Sequence, residues 1–330
     1  MAAGKPGDGV LADLIALGGA GVAVAELGRG ERAAASGPGV VRVGVCRQAA
    51  LPDGGFEPFD ILLTDGPDPP RPWVSCHDLD AALERLRGQV KLQPVAAAVA
   101  AQVLRATLAL SFGDALALES LAYSMLLASE GFRAWRAATP VRARTEGPDP
   151  RVVIEATGDG LTIRLNRPAR RNAFDAAMRD ALAEALAFAL EHPDAPPTML
   201  CGAGPAFSAG GDLDEFGQAA DVGLAHLVRT LRSPSALVHA LGDRLTARLH
   251  GACVGAGIEV PAAATRVTAA PGSFFRLPEV SMGLIPGAGG TASIPRRIGR
   301  HRAAWMAISS ADIDLATALA WGLVDAEAAP

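Results

Sequence analysis

Glu259 and Glu279, twenty residues apart, are the side chains in this sequence best placed to do chemistry. Glu259 closes the run His250-Gly251-Ala252-Cys253-Val254-Gly255-Ala256-Gly257-Ile258-Glu259, in the first turn of an expected apolar helix. Glu279 stands in Leu277-Pro278-Glu279. A second small-residue run, Phe207-Ser208-Ala209-Gly210-Gly211-Asp212-Leu213, also falls where a strand should hand over to a helix. Backbone N–H groups at a fresh helix start lack internal partners and carry the positive end of the helix dipole. Two such ends facing one another make an oxyanion hole from backbone alone. Two carboxylates beside it are what proton transfer at an activated carbon requires, one handling water and the other the carbon-bound proton. Taken singly, each feature has a plainer reading: glycines make turns, and a lone carboxylate caps a helix or joins an ion pair.

The elements that must position these groups follow from pattern. Over residues 1–93 the sequence predicts a helix at Val10–Leu17, strands at Val40–Cys46 and Asp60–Thr64, a Pro-rich turn at Asp65–Pro72, and a helix over Asp78–Val90. That helix is capped by Asp78 or Asp80, with Leu79, Leu83 and Leu86 on one face. Residues 94–138 read as two helices parted near Ser111–Asp114, and Thr139–Pro150 as a linker. From 151 strands and helices alternate: a hairpin of Val152–Ala156 and Leu161–Leu165 about Thr157–Gly160, then a helix capped by Asn172 and running to about Leu190. Its stripe is Phe174, Met178, Leu182 and Leu186. Strands at Thr198–Cys201 and Arg244–His250 flank the Gly/Ala/Ser loop Gly202–Gly211 and a helix.

Five stretches, in order, carry a family resemblance. They are Leu165-Asn166-Arg167-Pro168 with Arg171-Asn172-Ala173, the Phe207–Leu213 run, Gly255–Glu259, Leu277–Val280 with Gly283–Thr291, and Ala318 with Gly322-Leu323-Val324-Asp325. From Gly158 to Asp325 the chain resembles the enoyl-CoA hydratase/isomerase (crotonase) superfamily. The resemblance implies an α/β fold, a crotonase-like spiral of ββα units, here with an added N-terminal α/β and helical region. It makes residues 151–330 the catalytic core, 94–140 a helical segment resembling the family's C-terminal helices moved to the front, and 1–93 a small α/β region of unknown role. By resemblance the amides of Gly211 and Ala256 polarise a thioester carbonyl, and Glu259 and Glu279 are the hydratase's two glutamates. Substrate and coenzyme contacts are assigned in the same way to Arg167, Arg170, Arg171, Ala173, Ala209, Asp212, Leu213, Gly255, Pro278 and Gly287. The implied reaction is addition of water to a 2-enoyl-CoA. The alternatives are isomerisation, decarboxylation or hydrolysis of an acyl-CoA, or a non-catalytic acyl-CoA-binding subunit. No metal and no cofactor beyond the substrate's own coenzyme A is implied, and the expected assembly is a homotrimer or homohexamer.

Three departures bear on the site. Ala256 replaces a glycine, Pro261 falls inside the expected helix, and Arg276 stands before Leu-Pro-Glu where a small residue is usual. An Arg276 turned inward onto Glu279 would spoil a proton donor. The chain also ends soon after Asp325, which suggests that the helices of 94–138 pack against the last core helices, near the Thr317–Asp325 end, of the same subunit or a neighbour.

Composition narrows the class. With 330 residues, half of them hydrophobic, a fifth charged and a net charge of −5, the sequence is that of a globular protein and not of a nucleic-acid grip. Cys46, Cys76, Cys201 and Cys253 form no CxxC pair, so reduced thiols in a cytoplasmic protein are expected. There is no P-loop, and Gly19-Ala20-Gly21 has Val24 where a dinucleotide fingerprint needs its third glycine. No stretch suits a membrane helix or signal peptide.

Overall fold

A computed structural model describes residues 21–33, 37, 39–47, 50–142, 147–158 and 160–328; the expected helix Val10–Leu17 lies outside them. Strands β1 (Gly21–Glu26), β2 (Val40–Cys46), β3 (Ile61–Thr64) and β4 (Val74–Ser75) form a parallel sheet in chain order. Helix α1 (Leu79–Leu92) follows, its Asp78 cap accepting from the Ala81 amide at 2.9 Å, with Leu79, Leu83, Leu86 and Val90 buried. Residues 94–138 form three helices where two were expected: α2 (Pro94–Ala106), α3 (Phe112–Leu127) and α4 (Glu130–Ala138). The extra break has a local cause, since Ser129 caps a new helix by accepting from the Phe132 amide at 3.2 Å.

The second half begins with the hairpin β5 (Val152–Thr157) and β6 (Gly160–Leu165), then α5 (Ala176–Glu191) and β7 (Thr198–Gly202). Next come α6 (Val222–Leu231), α7 (Pro234–Leu241), β8 (Leu245–Leu249), β9 (Ala252–Val254) and the single turn α8 (Ala256–Glu259). The chain ends through β10 (Arg266–Ala269), β11 (Phe274–Arg276), α9 (Gly290–Ile298), α10 (Arg300–Ser309), β12 (Ile313–Asp314), α11 (Leu315–Trp321) and β13 (Ala326–Glu327). A six-stranded sheet runs β13-β10-β8-β7-β6-β5, antiparallel only at the hairpin, and a small sheet runs β12-β11-β9.

Two expectations are corrected here. Asp175, not Asn172, caps α5, accepting from the Met178 amide at 2.7 Å. Asn172 sits at φ 51° and ties loops together instead: its amide nitrogen donates to the carbonyls of Ala203, Ala206 and Phe207 at 2.8–3.0 Å. The helix expected to carry Glu259 is one turn only; Pro261 opens the short 3-10 turn after it, where a missing N–H costs nothing.

Helices of the N-terminal half pack against the last core helices as expected, though chiefly on α9 and α10 rather than on α11 at the Thr317–Asp325 end. α2 lies against α10, α3 against α9 and α6, and α4 against the turn Glu279–Met282, while α11 packs on β11 and β12. The physical reason is α10, whose residues from His301 to Ser309 are all buried. Its N-terminal arginines reach the first sheet: Arg300 donates to the carbonyls of Phe59 and Glu57 at 2.8 Å, and Arg302 to that of Trp73 at 2.9 Å. A single apolar cluster extends from Val41 to Val324. Among the described residues no single helix is long and apolar enough to cross a membrane.

A shared cluster makes the two halves unfold together. Leu86→Ala, at a fully buried position of α1, is expected to destabilise the whole chain by about 2–5 kcal/mol in one urea transition followed by both tryptophan fluorescence and circular dichroism. Two separate transitions, only the first shifted, would contradict this.

Candidate active site

Three chain segments run parallel and in step, and their common end is the site. β9 pairs with β11 in register Val254↔Arg276, and the Gly255 amide continues the ladder to the Arg276 carbonyl at 2.9 Å. On the other flank Ser208 bridges Cys253, with the Val254 amide donating to the Ser208 carbonyl at 3.0 Å. Parallel strands exit on the same side. Gly211, Ala256, Glu259 and Glu279, each a few residues beyond its segment, therefore arrive at one edge. Neither the Gly211 nor the Ala256 amide donates to an acceptor among the described residues. Gly211 does not open a helix as expected; it lies in a bridge with Phe174, followed by turns.

Close approach dictates glycine here. A Cβ on Gly255, at φ +50°, would stand 2.4 Å from Glu279 Oε1 and 3.7 Å from Glu259 Oε1. Both carboxylates thus lie against the residue preceding the Ala256 amide. A Cβ on Gly257 would meet the Ser208 carbonyl oxygen at 2.5 Å, so the two small-residue runs touch through backbone.

Glu259 is 2% exposed and Glu279 7%. Glu259 Oε2 accepts from the Ala288 and Gly290 amides at 2.7 and 3.0 Å. Burial raises its pKa, and those two amides pull it only part of the way back. Glu279 is driven further up, by burial and then by the Glu259 charge. Among the described residues Glu279 Oε2 meets no donor. Arg276, the residue that threatened this arrangement, points away and pairs with Asp312 at 2.6 Å.

The basic residues divide differently from expectation. Arg167 is buried and bound inward, donating to Asp212 at 2.7 Å and to the Ala173 carbonyl at 2.9 Å. Arg170 bridges Asp212 and Asp214 at 3.3 and 3.0 Å. Burial works against the Asp212 charge, but hydrogen bonds from Arg167, the Asp214 amide and Arg170 hold its carboxyl below the ordinary value. Arg167 and Asp212 are therefore ion-pair partners, and Asp212 also faces the cavity beside Arg170. Arg171 is exposed, and with Arg170, Ala173, Ala209, Gly211 and Leu213 it lines a cavity of about 350 Å³. Pro278 and Gly287 are half-buried at the other end, Gly287 against the Tyr123 ring.

Sequence reasoning missed two residues of α3. Glu119, 2% exposed, accepts from the Gly289 and Thr291 amides, and Tyr123 lies one turn further on. A single acid directly after the Ala/Leu run Ala115–Leu118 was the available signal.

A family model described as enoyl-CoA hydratase/isomerase matches residues 158–329. The chain belongs to that family. Among curated relatives, a mevalonyl-coenzyme A hydratase of Beauveria bassiana is 33% identical over 173 residues, covering 50% of this chain and 62% of the relative. A 2,3-dehydroadipyl-CoA hydratase of Escherichia coli is 34% identical over 165 residues, covering 50% and 64%. The matched part thus spans less than two thirds of either relative. The crystal structure of an enoyl-CoA hydratase from Thermoplasma volcanium aligns with a TM-score of 0.50 and 30% identity, over 55% of this chain and 72% of that one. One from Bacillus anthracis aligns with the same score and identity, over 54% and 70%. None of these matches assigns the N-terminal region.

Raised carboxyl pKa values have a stability consequence. An acid whose folded pKa is raised binds more protons in the native than in the unfolded chain from about pH 4.3 upward, so its contribution to stability is lost as pH rises through the folded value. Glu279→Gln is therefore expected to melt above wild type at alkaline pH, the gap closing toward about pH 4.3. Calorimetry across that range would contradict this with a gap that is constant or widens on acidification.

Proposed function

We propose that the chain is an enoyl-CoA hydratase. The observation that carries this reading is the pair of buried carboxyls, Glu259 and Glu279, against Gly255 and beside the undonated amides of Gly211 and Ala256. In the proposed step the thioester carbonyl of a 2-enoyl-CoA lies between the two amides. Glu259, ionised, takes a proton from water as its oxygen bonds to C3. The electron pair of the C2=C3 bond moves toward the carbonyl oxygen, where the amides meet the developing charge. Glu279, protonated, then delivers its proton to C2. Water is added in full, and one proton passes back from Glu259 to Glu279 to reset the site; both carboxyls lie against Gly255, so that transfer is short.

The raised pKa of Glu279 supports its role as donor at neutral pH, and the position of Arg276 leaves that proton in place. The named relatives are hydratases of acyl-CoA thioesters, which supports the same class without fixing the acyl chain. We also read α2–α4 as serving in place of the C-terminal helices of the family, because α3 and α4 close over the loops that hold Glu259 and Glu279. A homotrimer or homohexamer remains our expected assembly, favoured by the exposed Leu224, Leu227 and Leu231 of α6.

Crotonyl-CoA and a panel of longer, branched and carboxylated 2-enoyl-CoAs, followed by loss of the conjugated thioester absorbance, test the proposal. Glu259→Gln and Glu279→Gln are each expected to lower hydration of the best substrate by about 10²–10⁴, with little change in affinity for a saturated acyl-CoA. Retention of more than about a tenth of the rate by either variant would rule out the two-carboxylate mechanism.

A further inference from the structure

Glu119 takes no part in the reaction as written, yet it is buried beside both carboxyls that do. It comes from α3, 170 residues before the loop it touches. A carboxylate on such an apolar face is costly unless its oxygens are satisfied. They are satisfied by the turn that also holds Glu259. Along that turn the amides alternate. Ala288 donates to Glu259 at 2.7 Å, Gly289 to Glu119 at 2.7 Å, Gly290 to Glu259 at 3.0 Å, and Thr291 to Glu119 at 2.7 Å. The Thr291 hydroxyl adds a further bond to Glu119 at 2.7 Å. These amides belong to the start of α9, where N–H groups lack partners in the helix.

We propose that Glu119 is a positioning residue: by holding Gly289 and Thr291 it turns the alternate amides of Ala288 and Gly290 onto Glu259 and so fixes the face that Glu259 offers to water. The proposal rests on the hydratase reading for its kinetic consequence. The same turn is gripped at other points from the N-terminal half. The Thr107 hydroxyl donates to the Thr291 carbonyl at 2.7 Å, and a Cβ on Gly287 would stand 2.4 Å from the Tyr123 ring. From the core, the Ser235 hydroxyl donates to the Ala288 carbonyl. The N-terminal helices are thus built into the machinery that aims Glu259.

Charge adds a readout that a purely structural role would not move. The groups facing the pair are Glu279 from the turn after β11, Tyr123 on α3 and Arg229 on α6, whose guanidinium lies 4.9 Å from the Tyr123 ring centroid. Burial, and then the Glu259 charge, push the Glu119 carboxyl itself up to about 8, so on the alkaline side its charge raises the pKa of Glu279. Removing it lets Glu279 deprotonate at lower pH, so the alkaline limb of kcat moves toward acid.

Glu119→Gln keeps the shape and removes the charge. It also sets an amide NH₂ against a backbone N–H. The expected result is a kcat lowered about 10- to 100-fold, KM within about twofold, and the alkaline limb shifted toward acid. Thr291→Val, which removes only the hydroxyl, is expected to lower kcat by a smaller factor and serves if the first variant folds poorly. An unchanged kcat, or a loss of rate with the pH limbs unmoved, would overturn the proposal. Isotope-edited infrared titration of ¹³C-glutamate-labelled protein gives a second reading that needs no turnover. The remaining buried carboxyls should titrate at lower pH in Glu119→Gln; an unaltered titration overturns the proposal. If the wild type hydrates no enoyl-CoA, the hydratase reading fails, and this titration still decides the part played by Glu119.

Discussion

Everything at this site depends on three parallel segments kept in step: Phe207-Ser208, β9 and β11. Their ladder is short, a few backbone hydrogen bonds on each side of Cys253. A slip of one residue would turn every side chain on the slipped segment to the opposite face. In register, the chain leaves all three segments on one side, and two carboxyls and two amides meet within a few residues of the exit. Glycines at 255 and 257 allow the approach, since either position with a Cβ would collide with a carboxyl or a carbonyl oxygen. The twenty-residue spacing of the two glutamates is thus the length of one excursion from β9 out through β10 and back along β11.

The second constraint is burial of acid. Glu119, Glu259 and Glu279 all lie in a low-dielectric pocket, and each ionisation opposes the next. The fold answers with the N-terminal end of α9, whose first amides are divided between Glu119 and Glu259. Glu279 receives less help and stays the most readily protonated of the three. One acid stabilised in its ionised form and one held in its neutral form is the division of labour that addition of water to a conjugated thioester requires.

Much of this was legible in the sequence because it is local. The small-residue runs, the two glutamates and the strands beside them are written in contiguous stretches, and so was the cap of α1, narrowed to Asp78 or Asp80 and found at Asp78. What escaped was non-local. Glu119 acts across 170 residues, and nothing near it in the chain announces a partner. Arg167 looked like a free cation because Asp212 and Asp175, which neutralise it, are brought to it only by folding. Asn172 was misread as a helix cap for the same reason: its acceptors lie 31 to 35 residues away in the loop it secures. Packing of the N-terminal helices on the last core helices was foreseeable, but their choice of α10 over α11 was hidden, since the arginines of α10 that recruit the first sheet look like ordinary surface charge until their carbonyl acceptors are in place.

The central claim is that Glu259 and Glu279 act on the same substrate molecule, one through water and the other at C2. Turnover of a 2-enoyl-CoA in deuterated water enriched in ¹⁸O, with the product read by mass spectrometry and NMR, tests this directly. The account predicts one ¹⁸O at C3 and one deuterium at C2 in each product molecule, both delivered to fixed faces. Deuterium exchanged into the acyl chain with no oxygen added, or oxygen appearing at C1 with release of free coenzyme A, would contradict it.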